Sequence, residues 1–322
     1  MKKSDALSTI NFLDRTNANI LALVTPEIPR LNKVRKENDY SERPTFSAPP
    51  AMPLQYEVVH DVKIRYAHIG SSEKPTLVML APFPQSIIAY APIWPLLAKE
   101  FHLYAFDMPG FGHSEGGKEF MSFSAQGDFL NSLIQHFNIE NPHLLGPDVG
   151  MPAILYYAGT YDEKIASIIV GDGPAISPSS NASIIHKMVE SPFWRLIFRI
   201  AGAGALVEAG RRICYVNYCP NDIELSDYKK SYSGRVSAAL HWFKNYPESL
   251  ATVDPLLESI ASPTLLFWGD EDAILLPDNA VRIQKRMPNA KLHIFERCGH
   301  FCYQDRAEEF TAMVIDWIRK HD

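Results

Sequence analysis

The residue whose surroundings most favour chemistry is Asp148, in the segment Gly146-Pro147-Asp148-Val149-Gly150. An apolar run ends just before it and a helical pattern begins just after it. Small flanking residues permit a sharp strand-to-helix turn that exposes the central side chain, and serine is the commonest residue there. The N–H groups and the dipole at the start of a helix favour a negative group. Asp148 is therefore a candidate nucleophile, with a plain helix N-cap as the alternative.

Groups that could assist such a nucleophile follow downstream, in the order acid and then histidine. His300 lies in the segment CGHFC, between the last apolar run and a C-terminal helical pattern. Asp272 follows the preceding apolar run in WGDEDA. Asp270 and Asp172 also come at the ends of apolar runs, and they are alternatives for the partner of the histidine. We predict Asp148, Asp272 and His300 as the catalytic set.

The order of apolar runs predicts the elements that position these residues. Two alternating segments that begin at Leu54 are typical of a half-exposed hairpin. Short continuous apolar runs then alternate with helical patterns, which indicates a parallel sheet buried on both faces. The predicted strands are 76–81, 102–108, 143–147, 166–172, 264–270 and 291–296, and the predicted helices are 88–100, 121–138, 149–160, 278–287 and 305–320.

Two stretches fall outside this alternation. Residues 1–53 form an N-terminal arm with one weak amphipathic helix, Ile10 to Leu23. Its second half is charged and rich in proline, and we expect it to wrap the surface or to be partly disordered. Residues 174–262 contain helical patterns but no strand, and such an insertion lies over the binding edge of the sheet. We therefore predict a core of residues 54–173 and 263–322 with a helical lid at 174–262.

Composition argues against several classes of function. The 322 residues have a net charge of −6 and no basic region that would indicate a nucleic-acid partner. No apolar run reaches the ~20 residues that cross a bilayer, and no apolar core of an export signal follows Lys2 and Lys3. We therefore expect a cytoplasmic protein with reduced cysteines. Cys298, His300 and Cys302 lack the fourth ligand of a zinc site, so neither metal nor cofactor is predicted.

The motifs resemble one known family. Ala81-Pro82-Phe83-Pro84, MPGFGHSEG at 108–116, and the segments around Asp148, Asp272 and His300 are similar to the α/β-hydrolase superfamily. The similarity is to its aspartate-nucleophile branch of epoxide hydrolases and haloalkane dehalogenases, and it runs from about Leu54 to Ile318. It implies an α/β-hydrolase fold, with a mostly parallel central sheet, helices on both faces and an inserted helical lid.

The resemblance also implies a role for each residue of the site. Asp148 would attack the substrate, His300 would activate water, and Asp272 would orient the imidazole. The backbone N–H groups of Phe83 and Val149 would form an oxyanion hole. Ala81-Pro82 stands where that branch usually has His-Gly.

A carboxylate nucleophile suits a particular class of substrate. With an ordinary pKa of ~3.9 the carboxyl is ionised at neutral pH and needs no base for its attack. Displacement at saturated carbon gives an alkyl ester that water can hydrolyse, whereas attack on a carboxyl ester would give an anhydride. Epoxides and alkyl halides are therefore favoured, and a small apolar molecule and water are the expected partners.

The leaving group stays undecided between epoxide oxygen and halide. Dehalogenases of this branch carry Trp after the nucleophile and often Asn at the oxyanion position, where this chain has Val149 and Phe83. Epoxide hydrolases carry Trp-Tyr-Arg in the lid, where this chain has Trp242-Phe243-Lys244. Other lid tyrosines could donate the proton instead, namely Tyr215, Tyr218, Tyr228 and Tyr232.

Aromatic residues of the lid predict an apolar pocket, with the residues Trp194, Tyr215, Tyr232, Trp242 and Phe243 as candidates for its lining. Three hypotheses follow from the sequence. The first is an epoxide hydrolase-like enzyme, and the second is a haloalkane dehalogenase without the usual halide-binding tryptophans. The third is a non-catalytic receptor for a small ligand that uses the same fold.

Overall fold

The computed structural model describes residues 10–23, 25–161, 164–179 and 183–322. The strands are β1 (Leu54–Val59), β2 (Val62–Ile69), β3 (Thr76–Leu80), β4 (His102–Phe106), β5 (His143–Pro147), β6 (Ser167–Gly171), β7 (Thr264–Gly269) and β8 (Ala290–Phe295). They form one sheet in the order β1-β2-β4-β3-β5-β6-β7-β8. β2 pairs antiparallel with β1 and with β4, and the other neighbours pair parallel. The predicted hairpin and parallel sheet are confirmed.

Burial of the strands follows their place in the sheet. Every residue of β4, β5, β6 and β7 is buried, as expected for parallel strands covered on both faces. β1 is largely exposed because it forms an edge of the sheet. The parallel strands of the centre all end at the same edge, so the side chains that follow β5, β6 and β7 are brought together.

The helices are α1 (Phe12–Leu23), α2 (Ile28–Glu37), α3 (Trp94–Leu97), α4 (Phe123–His136), α5 (Gly150–Thr160), α6 (Ile184–Glu190), α7 (Pro192–Ile213), α8 (Asp222–Tyr232), α9 (Val236–Ala239), α10 (His241–Lys244), α11 (Tyr246–Val253), α12 (Asp278–Arg286), α13 (Cys302–Asp305) and α14 (Ala307–Ile318). The single helix predicted at 88–100 is wrong. That segment forms a 3₁₀ turn (Ile87–Tyr90) and the short α3, since Pro92 and Pro95 lack the N–H that a continuous helix needs.

The N-terminal arm is more ordered than the sequence indicates. The predicted helix is present as α1, but the charged second half also forms a helix, α2, whose Leu31 and Val34 are buried. Arg35 explains its position, because the guanidinium donates to the carbonyl oxygens of Tyr215 (2.9 Å) and Arg212 (2.6 Å) in the region after β6. Of the two expectations for this segment, disorder does not hold for 28–37, which forms a helix lying against the region after β6.

Helices α6–α11, which we call the lid, lie between β6 and β7 within the predicted insertion. A buried ion cluster fixes the lid to the core. Arg65 on β2 binds Asp107, which follows β4, at 2.6 Å, and Asp227 on α8 at 2.9 Å. Because Arg65 and Asp107 are inaccessible to water, this contact is rigid where it holds the lid. None of the helices in the described ranges is long and apolar enough to cross a membrane.

Candidate active site

Asp148 lies at the turn between β5 and α5, where the sequence places it. Its backbone is left-handed, with φ of 50°, and its N–H donates to the Gly171 carbonyl oxygen at 3.0 Å. The two flanking glycines are required by close packing. A Cβ on Gly146 would lie 2.8 Å from the backbone of Gly150, and one on Gly150 would lie 3.0 Å from Leu80. A strained turn of this kind holds the side chain away from the strand.

The two oxygens of the Asp148 carboxylate have different neighbours. The backbone N–H of Phe83 donates to Oδ2 at 2.7 Å. Oδ1 lies 3.7 Å from Nε2 of His300, beyond hydrogen-bond distance. Val149 lines the same cavity, but of the two predicted backbone donors only Phe83 makes a hydrogen bond to Asp148 within the described part of the chain.

Asp272 is the acid that meets His300. Its Oδ2 lies 2.8 Å from Nδ1 of the imidazole, and its Oδ1 accepts from the N–H groups of Ile274 (2.8 Å) and Leu275 (3.0 Å). Asp270, the close competitor, instead accepts from the backbone N–H of Cys298 at 3.1 Å. The Asp272 contact fixes the ring so that Nε2 faces Asp148.

The two carboxylates control the protonation of His300. Burial alone would lower the pKa of this imidazole, but the charge of Asp272 and the nearby Asp148 outweigh burial and raise the pKa well above its ordinary value. The imidazolium is therefore favoured as long as both carboxylates are charged. Removing either charge shifts the balance toward the neutral ring.

Asp172, the third candidate acid, lies behind this pair. Its Oδ1 accepts from the Gly269 N–H at 3.2 Å, while Oδ2 is buried without a partner among the described residues. Ligand atoms of Asp172, Asp272 and His300 lie within 4.8 Å of one another. Burial and the neighbouring charge of Asp272 raise the pKa of Asp172 well above its ordinary value. The protonated form of Asp172 is thus favoured relative to a carboxyl in water, and the side chain lies next to Asp272.

A cavity of about 70 Å³ opens over Asp148 and His300. One water needs about 10–15 Å³ by that measure, so the space suits a small organic molecule. Apart from Asp148 and His300, its wall is overwhelmingly apolar. It is lined by Leu21, Phe83, Pro84, Val149, Pro174, Ile184, Ile185, Met188, Phe198, Leu206, Ala209, Gly210, Ile213, Cys214, Trp242, Phe243, Tyr246, Ile274 and Leu275.

The predicted aromatic lining holds for two residues and fails for three. Trp242 and Phe243 line the cavity. Trp194 is half-buried elsewhere, with the Lys187 ammonium 5.3 Å from its ring centre. The hydroxyl of Tyr215 donates to Gln304 at 2.7 Å, and the hydroxyl of Tyr232 donates to the Gln85 carbonyl oxygen at 3.0 Å. These two tyrosines are core residues, because their hydroxyls are engaged in a buried polar network behind the cavity.

Sequence reasoning missed most of the apolar cavity wall, and two of the residues it missed matter for function. Tyr246, the first residue of α11, contributes a lid hydroxyl that lies 2.7 Å from Oγ of Ser179. It comes three residues after Phe243, so extending the search for a lid tyrosine past Trp242-Phe243-Lys244 would have found it. Leu21 comes from the N-terminal arm, which periodicity alone gives no reason to place over the site.

Comparisons with known proteins agree with this architecture. The family described as alpha/beta hydrolase fold matches residues 75–195, from the beginning of β3 into α7. The chain is similar to the 2-hydroxy-6-oxononadienedioate/2-hydroxy-6-oxononatrienedioate hydrolase of Cupriavidus pinatubonensis, with 24% identity over 237 residues. The aligned region covers 70% of this chain and 78% of that protein.

Solved structures resemble nearly the whole chain. The lip1 protein of Acinetobacter baumannii AYE has a TM-score of 0.74 at 20% identity, over 91% of this chain and 95% of that one. Haloalkane dehalogenase DbeA of Bradyrhizobium elkani USDA94 has a TM-score of 0.72 at 20% identity, over 84% and 98%. Epoxide hydrolase CorEH has a TM-score of 0.72 at 18% identity, over 84% and 99%.

Identities this low show a shared fold rather than a shared activity. The family match begins at β3 and spans the turn that carries Asp148. This protein therefore has the α/β-hydrolase fold.

Proposed function

We propose that this protein hydrolyses a small apolar epoxide through a covalent ester on Asp148. The observation that carries the proposal is the environment of the Asp148 carboxylate. One oxygen accepts from the Phe83 amide, the other lies 3.7 Å from Nε2 of His300, and the residue lines the cavity. A carboxylate held in this way is oriented to attack an electrophilic carbon above it.

In the first step Asp148 acts without a base. An oxygen of its carboxylate forms a bond to a ring carbon of the epoxide while the carbon–oxygen bond of the ring breaks. The product is an alkyl ester on Asp148 and an alkoxide that must receive a proton. The apolar wall excludes water at this stage, which favours attack by the carboxylate over direct hydrolysis.

In the second step His300 acts as a base toward water. Ester formation removes the negative charge of Asp148, which is one of the two charges that raise the pKa of His300. The imidazolium therefore becomes a stronger acid and gives up its proton, which replaces the one donated to the alkoxide in the first step, and the neutral imidazole can then act as the base. It removes a proton from water, which attacks the ester carbonyl, and the Phe83 N–H stabilises the resulting oxyanion until Asp148 is released.

Tyr246 supplies the proton for the alkoxide in this proposal. It lines the cavity above Asp148, and Ser179 can donate to its oxygen, which leaves the phenol proton free to point toward the substrate. The hydroxyls of Tyr215 and Tyr232 are already engaged in the core. Tyr246 therefore replaces the tyrosine that is missing at Phe243.

A specific feature supports haloalkane dehalogenation as the second candidate. Trp242 lines the cavity, and its indole N–H makes no hydrogen bond with the described residues. Such a donor suits a leaving halide ion. The same attack by Asp148 on an alkyl halide would break the carbon–halogen bond and need no proton donor, so loss of Tyr246 would have little effect on this reaction.

The activity named for the Cupriavidus relative fits this cavity poorly. Its substrate is a dioate with an oxo group, so it carries two carboxylates and a carbonyl. The cavity wall has neither Arg nor Lys among the described residues, and two buried carboxylates would lack counter-charges. A carboxylate nucleophile would also give an anhydride at a carbonyl carbon, which is a poor intermediate for hydrolysis.

Trapping of the ester tests the proposal. His300→Gln should still be alkylated but should not release the product, so the variant incubated with epoxides from propylene oxide to styrene oxide should gain the mass of one substrate. Peptide mapping should place the adduct on Asp148. Asp148→Asn with His300→Gln is the matched control and should gain no mass.

The leaving group is decided by two substitutions in the wild-type background. Tyr246→Phe should slow epoxide opening by about 10²-fold or more, in line with the loss of a general acid, and Trp242→Phe should slow halide release from bromoalkanes. Turnover of bromoalkanes alone would replace the epoxide proposal with the dehalogenase one. Tight binding of these compounds with neither adduct nor turnover would overturn both and favour a receptor.

A further inference from the structure

Helix α1 carries apolar side chains on the face that points away from the protein. Asp14, Ala18 and Leu21 are buried on the inner face, at the spacing of one side of a helix. The opposite side should then be polar in a surface helix. Instead, four large apolar side chains between 50% and 85% exposed lie there: Phe12, Leu13, Ile20 and Leu23.

The first half of α7 has the same two-sided character. Phe198 is buried and lines the cavity. On the opposite side of the helix, at spacings of three and four residues, Phe193, Leu196 and Ile200 are 39% to 70% exposed. Gly202, with φ of 82°, then bends α7, so this half forms a separate short segment.

These two exposed apolar faces belong to helices that pack against each other. They hold seven of the fifteen large apolar side chains that are exposed within the described residues. Helix α1 packs along the second half of α7, because Asp14 lies against Gly204 and Asn19 accepts from Arg212. We call the outward side chains of α1 and of 193–200 the apolar lid face. So many exposed large apolar side chains on two packed helices point to a site of interaction.

A cationic groove borders this face. Leu196 of the apolar lid face is one wall of a cavity of about 180 Å³ whose charged and titratable side chains are Arg195, Arg199, His241 and Lys244. None of these four appears in an ion pair with the described residues. The groove is positive although the whole chain has a net charge of −6. Its chemistry therefore suits an anionic group such as a lipid phosphate.

We propose that the apolar lid face docks on an anionic phospholipid bilayer, with its apolar side chains among the acyl chains and the cationic groove on the headgroups. Basic, apolar and aromatic side chains in this arrangement are typical of helices that lie in a membrane interface. A second copy of the chain fits less well, since a two-fold interface through this face would bring the same cations together.

Docking there would also give the cavity an apolar source of substrate. The inner faces of the same two helices, through Leu21 and Phe198, form part of the cavity wall. A molecule dissolved in the bilayer would therefore be separated from the cavity by one layer of helices. This consequence is independent of the reaction that Asp148 performs.

Vesicle flotation of the full chain tests the proposal. The protein should float with vesicles of phosphatidylcholine and phosphatidylglycerol, and bind less to phosphatidylcholine alone. The double variant Phe193→Ser with Ile200→Ser should lower the partition coefficient by about tenfold or more, since two apolar side chains lose their burial. Arg199→Gln should lower it about fivefold on the anionic vesicles only.

Matched controls distinguish binding through the apolar lid face from nonspecific hydrophobic binding and from the effects of misfolding. Ile223→Ser with Val281→Ser removes two similarly exposed apolar side chains elsewhere and should leave partition unchanged. Equal thermal unfolding midpoints for all variants would show that folding is intact. Absence of flotation on anionic vesicles would overturn the proposal, and so would a dimer in light scattering that the Phe193→Ser, Ile200→Ser variant abolishes.

Discussion

The floor and the roof of the cavity differ in chemistry, since the floor carries charged residues and the roof is mainly apolar. The floor consists of the strand ends that carry Asp148, Asp272 and His300, each held by backbone hydrogen bonds or by another charged group. The roof consists of helices from the lid and the arm, and apart from Tyr246 and Cys214 its lining side chains are apolar. The floor therefore defines which reaction is possible, and the roof defines which molecules reach it.

The two regions also differ in how they are held. Register between hydrogen-bonded strands fixes the floor. The roof depends on packing and on a few polar anchors, of which the Arg65 cluster is the most buried. Substitutions in the floor should consequently affect turnover, and substitutions in the roof should affect stability or substrate affinity.

The sharpest test of the floor is the acid that orients His300. Asp272→Asn should lower kcat by about 10⁴-fold, as loss of the orienting acid does in related triads, and the Asp148 ester should accumulate. Rapid-quench mass spectrometry measures both. Asp270→Asn, at the neighbouring acid that binds the Cys298 N–H instead, should retain activity within about threefold. Equal losses in the two variants would contradict the assignment.

For the roof, the largest expected effect is a loss of stability when Asp227, which anchors the lid to Arg65, is replaced. Burial would raise the pKa of Asp227, but hydrogen bonds from His113 and Arg65 outweigh it and lower the pKa well below its ordinary range. The charged form therefore stabilises the fold above the ordinary carboxyl pKa, and this contribution is lost as the pH falls. Asp227→Asn should reduce the free energy of unfolding at pH 7 by about 3 kcal/mol, because Arg65 loses a buried partner.

Urea titrations at neutral and acidic pH would check this expectation. The difference between wild type and Asp227→Asn should stay nearly constant down to about pH 4, close to the ordinary carboxyl pKa, and should shrink only at more acidic pH. Asp222→Asn, an exposed acid on the same helix, serves as the control and should change stability by less than about 1 kcal/mol. A constant difference across pH would mean that charge pairing is not what anchors the lid.

The selectivity assigned to the roof can be probed at its contact with the arm. Leu21→Ala should raise KM about tenfold for the smallest accepted substrates and leave kcat nearly unchanged, since it removes apolar contact without touching the floor. Leu13→Ala, on the outward side of the same helix, should change neither constant. Steady-state kinetics over substrates of graded size would show the effect fading as larger molecules fill the space. A fall in kcat with an unchanged KM would contradict a role of Leu21 in substrate affinity.

Asp172, which lies beside the residues of the floor, is expected to affect the stability of the fold. Because burial and Asp272 raise its pKa, Asp172 holds its proton to a higher pH in the folded protein than in the unfolded chain. This raises the free energy of the folded state relative to the unfolded one as pH climbs above the ordinary carboxyl pKa. Asp172→Asn should therefore be more stable than wild type at pH 8 by about 1 kcal/mol, with little difference at acidic pH. Thermal unfolding across pH tests this, and a wild type that is more stable at pH 8 would contradict it.

Much of the floor could be predicted from the sequence because its signals are local. Asp148, Asp272 and His300 each follow a strand within a few residues, and parallel strands bring their ends together whatever the lid does. Asp172 shares that signal. The sequence alone does not show that Asp272, rather than Asp172, binds the imidazole of His300.

The roof was less predictable because its signals are not local. Trp194 and Trp242 look equally suited to a pocket from the sequence. Only tertiary packing places Trp242 in the cavity wall and Trp194 against Lys187. Helix α2 has few apolar residues, so its pattern resembles a loop until Tyr215 and Arg212 provide acceptors for Arg35. Leu21 is indistinguishable from its neighbours until α1 is docked.

The docked arm has a consequence for biosynthesis. Its partners lie far along the chain, with Asn19 on Arg212, Arg35 on Tyr215 and Arg30 on Glu271. During translation α1 and α2 therefore leave the ribosome long before the surfaces they bind exist. Their apolar side chains must stay unpaired until about two hundred further residues have been added. We expect the arm to be among the last parts to settle and the one most dependent on a chaperone while it waits.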